Sequence, residues 1–79
     1  MQDHHVGLVA LRIAMRAAGV SQSDLARGLG CSRAWVHDVV HGEVKPSPKF
    51  IRLSPVILAE QLGEDPSELR AILFPEVSS

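Results

Sequence analysis

The sequence predicts an all-α domain of five helices, and three observations lead there. Apolar residues recur at helical and not at alternating spacing, capping side chains precede the apolar stripes, and glycines or prolines punctuate them. With 46% apolar residues but only 4% aromatics, the core must be aliphatic, built from Leu, Val, Ile and Ala. The 79 residues make one domain, 1–79. Folding at this length covers only about 60 to 65% of the unfolded surface, so the apolar content is generous and points to burial against a second copy.

Leu8, Leu11, Met15 and Ala18 mark one face of a first helix over Gly7–Ala18, with Arg12 and Arg16 on the other side and Gly19 ending it. Ser21 caps a second helix, Asp24 supplies a short form of the capping box, and Leu25, Ala26 and Leu29 form the buried stripe before Gly30 stops it. Ser32 caps a third, whose stripe is Val36, Val39 and Val40 and which Gly42 ends. Beyond Gly42, Ser47-Pro48, Ser54-Pro55 and Asp65-Pro66 each place a cap before a proline at the first helical position. They predict a short helical turn over Pro48–Leu53, a fourth helix over Pro55–Leu62 and a fifth over Pro66–Phe74.

Net charge is −1, against the overall basic character expected of a nucleic-acid binder. The charge is polarised, however. Residues 22–52 carry Arg27, Arg33, Lys45, Lys49 and Arg52 against Asp24, Asp38 and Glu43, whereas residues 53–79 carry Arg70 against Glu60, Glu64, Asp65, Glu68 and Glu76. The middle of the chain is free to face phosphate while the acidic end points elsewhere.

Several functions lack their residues. No paired carboxylates, Ser/His/Asp set, phosphate-binding glycine loop or zinc-ligand spacing is present, so neither an enzyme nor a cofactor is expected. Asp3, His4 and His5 read as a polar terminus and not as metal ligands. No apolar run approaches the roughly 18 to 20 residues of a membrane span, and the start does not read as a signal peptide. The single Cys31 forms no intramolecular disulfide and reads as a small turn residue, so the expected location is the cytoplasm.

The run SQSDLARGLGCSRAWVHDVVHG, Ser21 to Gly42, resembles the helix-turn-helix of the XRE family, which includes Cro and the lambda-type repressors. Gln22, the Leu25-Ala26 pair, Gly30, Ser32, Val36, Val39 and Gly42 stand at its signature positions, and the likeness extends over roughly residues 8–73. It implies a compact lambda-repressor-like fold and a sequence-specific regulator of transcription, bacterial or from a phage. A homodimeric repressor on an inverted-repeat operator in double-stranded DNA is the leading reading.

On the third helix a step of about 100° per residue turns Ala34, Asp38 and His41 outward, with Arg33 and His37 on one flank and Trp35 on the other. The major groove, about 12 Å wide, admits one helix, whose N-terminal residues reach deepest. Arg33 is the foremost base reader, since guanidinium donates two bonds to guanine; its place after Ser32 matches the family's base-contacting position. Ala34 can touch a thymine methyl. Asp38 either accepts from a cytosine amino group or repels wrong sites, and His37 is a further donor toward bases.

Backbone contacts are expected from Gln22, Ser32, His41, Lys45, Ser47, Lys49 and Arg52, the role of Gln22 being carried over from the resemblance. Trp35 either packs at the edge of the second helix or lies beside the sugar-phosphate backbone. Leu69, Ile72, Leu73 and Phe74, in a C-terminal helical region over about 54–74, are expected to pair two copies. The alternative is a module that binds a protein, such as a toxin or another regulator, through those same residues.

Two departures from the family pattern stand out. Many members pair an arginine of the first helix with a glutamate of the third, where this chain has Met15 and Val40. A buried ion pair can be replaced by apolar groups without loss, so both residues are expected inside. The stretch from Gly42 to Gly63 is about four residues longer than usual, which predicts an extra turn or a broken helix around Arg52–Pro55.

Overall fold

A computed structural model describes residues 8–75. Five helices make up the described chain, with no strand: α1 (Val9–Ala18), α2 (Gln22–Leu29), α3 (Arg33–Val40), α4 (Pro48–Leu62) and α5 (Pro66–Leu73). The predicted start of the first helix at Gly7, and Asp3, His4 and His5, lie outside the described residues.

Local chemistry sets most helix starts. Ser21 Oγ accepts from Asp24 N at 3.0 Å while Ser21 N donates to Asp24 Oδ2 at 3.1 Å, a complete capping box. Ser32 Oγ accepts from Trp35 N at 3.0 Å, Ser47 Oγ from Phe50 N at 3.1 Å, and Asp65 Oδ1 from Ser67 N at 3.3 Å. At the start of α1 no side chain caps the helix; instead Leu8 N donates to the carbonyl of Val40 at 3.0 Å, tying α1 to the end of α3.

The core is mostly the predicted Leu, Val and Ala, but among the described residues no isoleucine is buried in it and Phe50 and Phe74 are. Leu11, Leu25, Val36, Val39, Phe50 and Leu58 are at most 1% exposed. α4 packs on α1, α2 and α5, and α2 on α3, so α4 is the beam against which the helix-turn-helix is held. Met15 and Val40 are both buried, as the apolar pair at the ion-pair positions implied.

α4 departs from expectation. It runs without a break from Pro48 through Pro55 to Leu62, so the predicted separate turn over Pro48–Leu53 and new helix at Pro55 are one element. Ser54 does not cap a helix; its hydroxyl donates back to the carbonyl of Phe50 at 2.6 Å, and both Ser54 and Pro55 are buried. The physical reason is the stripe Phe50, Ser54, Leu58, one residue per turn, which stays on the core only if the helix is continuous. Burying Phe50, Leu58 and Ala59 together outweighs the hydrogen bond that Pro55 cannot donate. The additional residues before Gly63 are thereby absorbed in one long helix.

Candidate nucleic-acid interface

The turn between α2 and α3 is built by Gly30 in the left-handed region, φ 74°, whose N–H and that of Cys31 both donate to the carbonyl of Ala26. A side chain would be strained there, which explains glycine at the turn. At Gly28 a Cβ would lie 2.8 Å from Cδ1 of Ile57, so the end of that α4 side chain occupies the space beside the glycine.

Of the expected base readers, Arg33, Ala34 and His37 are exposed on α3 and Asp38 is half-buried. Val36, Val39 and Val40 bind the opposite face to the core. The outward face is therefore available and rigidly backed. His37 and His41 stack with ring centroids 4.2 Å apart, and Nδ1 of His41 lies 2.9 Å from the carbonyl of His37. Nδ1 of His37 lies 3.4 Å from Oδ1 of Asp38. Past the helix, the carbonyl of Asp38 accepts from the N–H groups of Glu43 and Val44, which folds the α3–α4 loop back and sets the position of Lys45.

The expected backbone-contacting residues divide into two groups. Ser32, Ser47 and Lys49 border a groove of about 410 Å³ with Trp35 and Phe50 in its wall, at the start of α3. Gln22 and His41 lie at the far end of α3, in a second depression. Lys45 and Arg52 are exposed, and neither has a carboxylate partner among the described residues. Ser32 and Ser47 use an oxygen lone pair to cap their helices, which leaves each O–H as a donor.

Trp35 is half-buried, meets Phe50 of α4 edge to face, and lines the same groove as Leu29 and Gly30 at the end of α2. Phe50 in turn meets Phe74 at 6.3 Å and 84°. Sequence reasoning also passed over Arg12 and Arg16, which border the second depression with Gln22 and His41. Their signal was only their exposure on α1, because the neighbours come from the crossing of helices.

Among the residues expected to pair two copies, Leu69, Leu73 and Phe74 are buried within the chain's own core, at 5 to 8% exposure. Only Ile72, 65% exposed, presents apolar surface. The core needs what α5 offers, since α5 packs on both α4 and α1.

The only ion pair without histidine among the described residues is Arg27 with Asp24, at 3.1 Å. The Ser21 backbone and hydroxyl, and then Arg27, hold the Asp24 carboxyl below its ordinary pKa. No group of three or more metal-ligating side chains forms among the described residues, and no described helix is long and apolar enough to cross a membrane.

Two helices joined by a glycine turn, the second capped by serine and presenting an exposed polar face, make this a helix-turn-helix domain of the DNA-binding class. Residues 9–72 match the family described as helix-turn-helix domain, and the chain belongs to that family, which falls within the XRE-like clan. No curated protein and no solved structure matches the chain. The family places the chain among DNA-binding regulators of transcription.

Proposed function

We propose that the chain is a cytoplasmic repressor that binds an inverted-repeat operator as a homodimer and excludes polymerase by occupancy. The observation that carries this reading is Arg33: the first residue of α3, exposed, with no carboxylate partner among the described residues. A guanidinium so placed reaches deepest into the major groove and donates in pairs to guanine. Ala34 reads a thymine methyl, and His37 and Asp38 line the rest of the face. Gln22, Ser32, Trp35, His41, Lys45, Ser47, Lys49 and Arg52 anchor the backbone.

Pairing of two copies then falls to the surface around Ile72, since Leu69, Leu73 and Phe74 serve the fold. The alternative, a protein partner such as a toxin bound through the acidic and apolar C-terminal helices, draws on the same exposed surface around Ile72, and the oligomeric state of the free protein separates the two.

Footprinting of the DNA upstream of the chain's own gene, with sedimentation of the free protein, tests the reading. Protection of two half-sites centred about 34 Å apart is expected, with a dimer that Ile72→Asp dissociates. Protection of a single half-site by a monomer would contradict it.

A further inference from the structure

We infer that Arg12 and Arg16 of α1 form a second phosphate clamp, so that the recognition helix is anchored to the DNA backbone at both of its ends. The inference rests on the reading of α3 as the helix that enters the groove. Arg12, Arg16, Ser21, Gln22 and His41 border one depression of about 290 Å³ whose floor includes the buried Met15 and Val40. Both arginines are exposed, and neither has a carboxylate within ion-pair distance among the described residues. The first acidic residue after them in sequence, Asp24, is turned onto Ser21 N and Arg27 instead.

The placement relative to α3 gives the pair its meaning. At the start of α3, Ser47 and Lys49 border the groove that holds Ser32 and Trp35. At its end, the arginines border the depression that holds Val40 and His41. α3 has eight residues, so the two cationic sites are separated by about 12 Å of helix, similar to the width of the major groove. Phosphate strands run along both rims of that groove, and a protein with one cation site at each end of its recognition helix engages both. A chain of net charge −1 has little general attraction for DNA, so paired local sites carry its electrostatic binding.

The test measures binding to two duplexes, the region upstream of the chain's own gene and a mixed-sequence control, from about 50 to 200 mM salt. Arg12→Gln/Arg16→Gln is expected to flatten the salt slope by about one unit for each arginine. It should also abolish ethylation interference on one rim of each half-site, and Lys49→Gln on the other. Arg12→Lys/Arg16→Lys should retain the slope and Arg70→Gln should leave it unchanged, which separates charge from packing. Wild-type binding with an unaltered slope and interference pattern in the glutamine variant would overturn the clamp alone. Failure of the wild type to bind either duplex would overturn the reading of α3 as the helix that enters the groove, and the clamp with it.

Discussion

The indole of Trp35 meets the ring of Phe50 edge to face, with centroids 5.7 Å apart and planes at 71°. This contact locks the recognition helix α3 to α4, the element that carries Lys49 and Arg52. Aromatic pairs in this arrangement contribute about 0.5 to 1.5 kcal/mol beyond burial. A double-mutant cycle of Trp35→Leu and Phe50→Leu, measured by urea unfolding, is expected to return a coupling in that range. Additive losses would show that the two rings are merely neighbours.

Gly28 and Gly30 are two residues apart and should respond oppositely to alanine. At Gly28 the added Cβ meets only the terminal carbon of the flexible Ile57 side chain, and alanine favours the helix by up to about 1 kcal/mol. Gly28→Ala is therefore expected to be neutral or stabilising. Gly30→Ala forces a side chain into the left-handed region and is expected to cost about 1 to 2 kcal/mol. Thermal unfolding of the two variants checks both signs.

Met15 and Val40 are both buried beside the same depression. Met15→Arg alone strands a charge and is expected to cost about 3 to 5 kcal/mol. Adding Val40→Glu should recover much of the loss, since the new carboxylate pairs with the guanidinium. A double variant no more stable than the single one in chemical denaturation would place the two positions out of reach of each other.

What the sequence made legible, and what it did not, divides by the range of the interaction. Ser21, Ser32, Ser47 and Asp65 were readable as caps because their bonds go to backbone N–H groups two or three residues on. Ser54-Pro55 carries the same local signal and means something else, because the burial of Phe50 and Leu58 on one stripe is a tertiary effect that no short window contains. The same blindness applies to Leu69, Leu73 and Phe74. Apolar spacing shows that a side chain is buried without saying whether by its own chain or a second one. Arg33 and its neighbours could be placed on the outward face of α3 by helical geometry alone, whereas the grouping of Arg12 and Arg16 with Gln22 and His41 depended on how α1 packs against α3.

The capping box gives a pH dependence with a definite sign. Bonds from Ser21, and then Arg27, hold the Asp24 carboxyl below its ordinary pKa in the folded protein. The folded state therefore favours the ionised form. That contribution is complete above the ordinary aspartate value of about 3.9 and is lost as pH falls through the lower folded value. Side-chain carbon shifts of Asp24 are expected to titrate below those of an unfolded peptide, and Asp24→Asn should reduce the acid-side loss of stability. A midpoint at or above the peptide's would remove the capping box as the cause.

The central claim is that the exposed face of α3 reads base sequence, and Arg33 tests it most directly. Binding of wild type and Arg33→Ala is compared on the chain's own upstream DNA and on a mixed-sequence duplex at one salt concentration. Loss of a bidentate contact to guanine is expected to weaken specific binding by about 1 to 3 kcal/mol while non-specific binding changes far less. An equal loss on both duplexes would contradict the account, because Arg33 would then be a phosphate contact and the sequence would be read elsewhere.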